Sequence, residues 1–543
     1  MAAAGSIGQV SSEPRAFAAI DRGTVTVAVS LVGRVAGHWR LLGATAAPVS
    51  VPADALLERL RGRLADADPG LAADLDLATP EAAEALPRVA SETTPPPEIT
   101  VIAVSHRMLG PLAAAAAAAG WRVHRVVLEG AEILSVAAAL ANPRASAVLA
   151  GAGDPPGADE RPLLPELAAL VAAATERRPD LVAVLAGGLA EPGGRFEAAI
   201  RPNRPGATLL GPSPNSAGGA PLRELLDTLR GGEADGRRAL AQATGTLAEV
   251  LGRRVEVVEI GQSAGTRIQA TPVPGGSRVT AAVVADAALL PRGFGDAHLD
   301  RVVGWLTIPL DRLRVRDRLR ELAVSPWGDA AGDGAQLRLA SVRAAVERLI
   351  EATAWMDRGA APDVLVAAGG AWTVAPGPAV ALALADVVRR PGVRALGVDH
   401  ARLLAPLGTI EDPDERRRVI ADLRDELLVP LGTVVMPAGL RAGKSVGRLE
   451  VRGAAGSTEL DLVPGGIELV DLPPGERAVV ELRFRDPVTL GPRARQFAVE
   501  VTGGLGGLLV DLRDVPLRLP DRLERRRDLL TAWQSALWAG LDE

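Results

Sequence analysis

The chain contains no cysteine. That single absence removes disulfides, thiolate metal sites and cysteine nucleophiles together. Histidine is nearly as scarce: His38, His106, His124, His298 and His400 are scattered and never stand at ligand spacing, which argues against a zinc site. Lys444 is the only lysine, so arginine supplies the remaining basic charge. With a net charge of −6 and dispersed basic residues, no nucleic-acid footprint is outlined. No run approaches the roughly 18 apolar residues that a membrane-spanning helix needs. The alanine run 113–119 is short and lies between Pro111 and Gly120. Residues 1–16 carry Glu13 and lack a basic start followed by an apolar core, so they read as a disordered leader rather than a secretory signal. The expected setting is the cytoplasm, with no membrane and no nucleic acid among the partners.

What is present is a long globular chain. At 543 residues, with 48% hydrophobic and 23% charged residues, it calls for about two to four domains rather than one core. Its parts can be arranged around residues 363–376, DVLVAAGGAWTVAP. The apolar run 363–368 predicts a buried strand that ends on Gly369 and Gly370. A helical run, 379–388, follows Pro376 and Pro378, and proline is well placed in a first helical turn because its missing N–H had no intrahelical partner. A strand, a glycine pair and a helix start let backbone approach a flat or anionic ligand closely.

Upstream, an apolar run at 17–20 leads into Asp21-Arg22-Gly23-Thr24, then strand-like alternation at 25–32, a turn at 33–37 and a second strand at 39–47. Leucines at helical spacing occupy 53–65. The prolines 95–97 mark a boundary. Beyond them, buried strands at 98–104, 121–128, 145–150 and 181–185 alternate with helical segments at 112–119, 133–140 and 164–174, the pattern of a doubly wound parallel sheet. A helix at 221–229 and the polar stretch 231–236 close this inserted unit. The first pattern then returns: strand 254–260, small-residue turn 261–266, and a hairpin of 267–273 and 277–284 around Pro274-Gly275-Gly276. Two copies of strand, acidic residue, glycine turn and strand indicate an internal duplication.

Short apolar segments at 397–404 and 431–436 follow, and from 445 to 519 helical periodicity gives way to alternating runs at 448–451, 478–484, 496–501 and 507–512. A last helix, 521–541, sets Leu523, Leu530, Trp533, Leu537 and Leu541 on one stripe, with Arg525 to Arg527 toward water. The expected organisation is a leader, 1–16; the first half of a core, 17–94; an inserted domain, 95–236; the second half, 237–444; a β-rich domain, 445–520; and a C-terminal helix, 521–543.

Three motifs yield to their plainer readings. Gly261-Gln262-Ser263-Ala264-Gly265 matches the G-x-S-x-G elbow, but that chemistry needs a helix after the serine, and Pro272 and Pro274 make a hairpin instead. Residues 438–445 approach a phosphate-binding loop around Lys444, yet Ala438 stands where its first glycine belongs and 446–451 reads as strand. His106 and His298 each lack part of the D-x-H-x-x-G cobalamin signature. The duplicated turns are the better signal. Asp21-x-Gly23-Thr24 and Glu259-x-Gly261-x-Ser263 each place a carboxylate at a strand end with amides and a hydroxyl beyond it, groups suited to nucleotide phosphates and hydrated magnesium. The plainer alternative is a pair of ordinary hairpin turns.

The order of these parts resembles the glutamate mutase L family of the actin-like, sugar-kinase and heat-shock ATPase superfamily. The likeness is carried by AGGAWTVAPGP (368–378), LGVDHARLLAPLG (396–408), VPLGTVVMPAG (429–439) and VTGGLGGLLVDLR (501–513). It implies a duplicated actin-like, ribonuclease-H-like α/β core with an inserted doubly wound domain. It also implies an ATP site with magnesium: Asp21, Gly23, Thr24, Glu259, Gly261, Ser263, Gly369 and Gly370 would hold the nucleotide, and Asp21 and Glu259 the metal. The implied role is that of a chaperone, assembly or reactivation factor for a coenzyme-B12-dependent carbon-skeleton mutase. The chain departs from the family's pattern at both turns. Ala28 stands where a lysine is expected, and the second turn has Glu259, Ser263, Ala264, Gly265 and Thr266 where an aspartate and G-x-T-T-D are expected. Gly151-Ala152-Gly153-Asp154-Pro155-Pro156 replaces G-G-x-D-G-G. The thinned phosphate grip implies at most a weak ATPase, the alternative being a scaffold that binds its partner without nucleotide.

Overall fold

A computed structural model describes residues 15–190, 196, 198, 208–215, 219–230, 236–290, 295–325, 332–373, 375–441, 445–454 and 456–538. Gly443, Lys444, Leu541, residues 231–235 and nearly all of the expected leader lie outside that set. Two compact units form: Met1–Thr94, Ala234–Ala281 and Ala287–Glu543 make the first, Pro95–Glu233 with Ala282–Asp286 the second.

The first unit begins with β1 (Ala16–Arg22), so Ala16 belongs to a strand and not to a leader. A meander continues through β2 (Thr26–Val35) and β3 (His38–Pro48), and β4 (Arg88–Glu92) returns parallel to β1, giving the order β3-β2-β1-β4. Between β3 and β4 runs the helix Ala53–Ala67, whose Leu56, Leu57 and Leu60 fall on one stripe and bury against Ile20, Val27, Val29 and Leu31.

The second unit is a five-stranded parallel sheet of β5 (Glu98–Ala103), β6 (Arg122–Val127), β7 (Ala145–Ala152), β8 (Val182–Gly187) and β9 (Thr208–Gly211), in the order β6-β5-β7-β8-β9. Side chains alternate across a strand. Ile99, Val101 and Ala103 therefore meet the helices His106–Ala118 and Ala220–Arg230, while Ile102 packs toward Ile133–Leu140 and Leu164–Arg177. Both faces are covered, as a parallel sheet requires. The sequence reading missed β9, a run of only four residues. It also began the first helix too late: Pro111 lies inside His106–Ala118 rather than before it.

In the first unit the strand order repeats. A helix, Gly236–Leu251, leads to β10 (Val255–Ile260), β11 (Gly265–Val273), β12 (Gly276–Val284) and, after a helical stretch, β13 (Val364–Ala368). Their order, β12-β11-β10-β13, matches β3-β2-β1-β4, with β10 antiparallel to β11 and parallel to β13. The sheet continues through β14 (Gly392–Val398) and β15 (Val429–Met436). This is the duplicated actin-like core. One apolar cluster joins its halves: Phe17, Trp39 and Val89 with Leu240, Leu247, Val257, Ile268 and Val366. Phe17 and Trp39 meet edge-on at 5.1 Å between centroids.

The C-terminal strands are β16 (Gly447–Gly453), β17 (Gly456–Leu462), β18 (Ile467–Val470), β19 (Arg477–Thr489), β20 (Arg493–Thr502) and β21 (Leu508–Asp511). Four form an antiparallel sheet, β17-β16-β19-β20, while β21 and β18 extend the central sheet beyond β15. Glycines explain that docking. A Cβ on Gly504 would stand 2.2 Å from the Gly432 amide nitrogen, so 429–439 and 501–513 press backbone against backbone. The last helix, Leu523–Trp538, buries Leu530, Trp533 and Leu537 but leaves Leu523 exposed. Arg526 is not turned simply to water: its Nε donates to the Pro520 carbonyl at 2.8 Å. Trp533 donates to the Gly465 carbonyl and lies under the Arg513 guanidinium, which bonds Asp386 and Asp511.

Candidate functional site

Asp21 and Glu259 occupy the same register position in the two copies. Asp21, at the end of β1, lies opposite Ala28 and beside Ser91. Glu259, at the end of β10, lies opposite Thr266 and beside Ala368. Two residues on, a glycine closes each turn with the same bond: Gly23 N–H donates to the Thr26 carbonyl at 2.8 Å, Gly261 N–H to the Ala264 carbonyl at 2.9 Å. The duplication read from the sequence thus extends to single hydrogen bonds.

All eight residues named from the sequence (Asp21, Gly23, Thr24, Glu259, Gly261, Ser263, Gly369 and Gly370) line one cleft in the first unit. Its volume is about 90 Å³, and it is partly open to solvent. Arg237, Arg338, Asp399 and Arg402 line it too, and sequence reasoning named none of them as site residues. Asp399 and Arg402 belong to LGVDHARLLAPLG, so that segment marked the site without disclosing which side chains serve it.

Arg402 governs the first turn. Its Nε donates to Asp21 Oδ2 at 2.7 Å, its Nη2 lies 2.5 Å from the same oxygen, and its Nη1 donates to Thr26 Oγ1 at 2.6 Å. Ser91 Oγ donates to the other Asp21 oxygen at 2.9 Å. A buried guanidinium therefore fills the space beside the first carboxylate. Asp399 shapes the loop that presents it by accepting the Leu403 and Leu404 amides at 2.8 and 3.2 Å. Burial pushes the Asp399 carboxyl up to about 7, against the pull of those amides.

The second turn is built differently. Glu259 accepts the Thr266 hydroxyl at 2.7 Å. It keeps an edge toward the cleft but is otherwise enclosed by protein, and this burial raises it above the usual carboxylate range; the nearby Arg237 guanidinium opposes the shift. Gly369 makes room for this carboxyl. At φ +90° its Cβ would meet the Ile260 carbonyl at 2.6 Å and Glu259 Oε1 at 3.1 Å. Gly370 faces the cleft, its Cβ position lying 3.5 Å from Thr26 Oγ1 and 3.9 Å from Arg402 Nη1. Ser263 sits in the turn joining β10 to β11 with no helix after it, so it lacks the elbow a serine nucleophile needs.

Magnesium-site chemistry wants one or two accessible carboxylates together with water or phosphate. Here Asp21 has both oxygens engaged, and Glu259 is held toward its neutral form. Among the described residues no three His, Cys, Asp or Glu side chains group as a metal site would require. No helix among them is long and apolar enough to cross a membrane.

No protein-family model matches the chain, and no curated protein matches it. Among solved structures it is similar to one from a PilM-PilN type IV pilus biogenesis complex, at 13% identity over 75% of this chain and 98% of that chain, with a TM-score of 0.23. It is similar to xylulose kinase from Rhodospirillum rubrum at 14% identity, over 76% of this chain and 99% of that one, with a TM-score of 0.24. An Aquifex aeolicus member of the Ppx/GppA family matches at 8% identity, over 75% and 90% of the two chains, with a TM-score of 0.19. At such scores the fold assignment rests on the repeated strand order and register.

Proposed function

We propose that this chain is a partner-binding chaperone or assembly factor whose actin-like core retains an ATP cleft without turning the nucleotide over at enzyme rates. The observation that carries the reading is the bonding of Arg402 to Asp21 and Thr26 in the first turn. A hydrolysing site needs charge stabilisation and a positioned nucleophile at the phosphate. Here the first carboxylate is committed to a guanidinium, and the second is buried and held toward neutrality. Misplacement on the scale of about 1 Å already costs about a hundredfold in rate. The partner would be a coenzyme-B12-dependent carbon-skeleton mutase, a choice supported by the four segments that resemble the glutamate mutase L family. The second reading, a scaffold that binds its partner without nucleotide, is favoured by the small volume of the cleft, about 90 Å³.

Phosphate release and calorimetry with ATP separate these readings. Weak binding without steady turnover is expected. Turnover at ordinary enzyme rates that disappears on Glu259→Gln would restore a working ATPase. Absence of binding would leave the scaffold. Sedimentation with the B12-dependent mutase of the same cell tests the partner: a complex is expected, and two independent boundaries would remove the mutase from the proposal.

A further inference from the structure

The cleft already contains a cation, and that cation is part of the chain. Arg402 stands at φ +57°, a left-handed conformation that a residue with a large side chain seldom adopts and that tends to be kept where function needs it. The conformation is held from both sides. Asp399 pins the amides that follow Arg402, and the guanidinium grips Asp21 and Thr26 on the first turn. Besides its contacts with the Asp21 carboxylate, Nη2 donates to the Asp21 backbone carbonyl at 3.4 Å. A guanidinium has five N–H donors. These contacts leave one N–H, on Nη1, the nitrogen that lies 3.9 Å from the cleft-facing Cβ position of Gly370. Arg237 and Arg338 line the same cleft. The remaining donor on Nη1 suits an anion.

We propose that Arg402 is the built-in cation of this cleft, and that the site takes a nucleoside polyphosphate without a divalent metal ion. The inference rests on the reading of the cleft as a nucleotide site and deepens it. A dication brought to Asp21 would stand against the guanidinium and compete with it for the same oxygen. A guanidinium instead meets phosphate oxygens directly through its planar donors, a geometry that an ammonium lacks.

The test is calorimetry of the full chain with ADP and with ATP, first in EDTA and then in excess magnesium. The expected result is a Kd that agrees within about twofold between the two buffers. A second measurement uses Arg402→Lys, with its fold verified by circular dichroism, which keeps one charge and loses the fork. Metal-free binding should weaken about tenfold or more. Wild-type binding that strengthens about tenfold or more with magnesium would overturn the built-in cation and leave the nucleotide site standing. Unchanged binding by a folded Arg402→Lys chain would also overturn it. No binding by the wild type in either buffer would remove the nucleotide reading itself, and this inference with it.

Discussion

Asp21 and Glu259 sit at the same place in two copies of one strand order, each two residues before a glycine that makes the same turn bond. Their surroundings differ. Asp21 shares a buried ion pair with Arg402 and a hydrogen bond from Ser91, whereas Glu259 accepts the cross-strand hydroxyl of Thr266 and is held toward neutrality by burial. Duplication kept the backbone because the sheet needs its register. It left the side chains free to solve the problem of a carboxylate at a strand end in two ways, one by pairing the charge and one by suppressing it. A working phosphate site would want both carboxylates accessible, and neither solution provides that.

The largest effect should come from breaking the first solution. Asp21→Ala strands a guanidinium that is only 8% exposed, and orphaning one member of a buried pair costs about 3–5 kcal/mol. Glu259→Gln keeps the shape and the Thr266 contact and should cost less than about 1 kcal/mol. Urea denaturation of both variants checks this. Equal losses would mean that the two turns do not differ in the way described.

The glycines give the next contrast. Gly369→Ala forces a side chain into a left-handed backbone with its Cβ 2.6 Å from the Ile260 carbonyl, and should cost more than about 2 kcal/mol. Gly370→Ala meets its neighbours at ordinary contact distance and should stay within about 0.5 kcal/mol. Thermal midpoints of the two variants are sufficient. If Gly370→Ala were the more damaging change, the cleft-facing glycine would be misassigned.

These contrasts also mark what the sequence made legible. The doubly wound alternation was readable because buried parallel strands are continuous apolar runs, and the two turns were readable because glycine and an acidic residue recur at fixed spacing. The six residues named from that pattern line the cleft, together with Gly369 and Gly370 from the strand end at 363–370. Arg402 was not readable. It reaches Asp21 across 381 residues of sequence, and no local pattern encodes such a partner. The role of Gly369 escaped for a related reason: it makes room for a carbonyl and a carboxyl of its own protein, and a glycine at a strand end looks the same whether a ligand or a side chain lies over it. Strands β17 and β18 were missed because their alternation is weak, Ile467–Val470 spanning four residues and Gly456–Leu462 being exposed along most of its length.

The pH dependence sharpens the electrostatic half of the contrast. Glu259 has a folded pKa above its unfolded value, so the unfolded chain releases its proton first as pH rises. Its contribution to stability is therefore fully present below the ordinary carboxylate range and is lost as pH rises through it toward the folded pKa. Asp399, raised to about 7, acts in the same direction between about 4 and 7. Asp363 and Asp422, lowered despite burial by their bonds to Arg254 and to His38, act in the opposite sense at lower pH. Glu259→Gln should flatten the decline in thermal midpoint above about pH 5 without altering the acid limb. A variant curve parallel to wild type throughout would show that Glu259 is ionised in the folded protein.

The finest probe lies in the two threonines. Thr26 Oγ1 accepts from a guanidinium, and Thr266 Oγ1 donates to a carboxyl. A hydrogen bond to a charged group contributes about 1.5–3 kcal/mol and one between neutral groups about 1. Thr26→Val should therefore cost the more of the two, by an amount that does not change with pH, because arginine stays protonated. Thr266→Val should cost about 1 kcal/mol where Glu259 is neutral. Its cost should grow as pH rises, since an ionised Glu259 without its donor would be a buried charge with one contact fewer. The growth is what matters. It reports the ionisation of one side chain through the loss of the Thr266 hydroxyl that it accepts, and needs no ligand. Urea titrations of wild type and both variants at several pH values measure it. A pH-dependent Thr26→Val beside a flat Thr266→Val would reverse the assignment of which turn pairs its charge and which suppresses it.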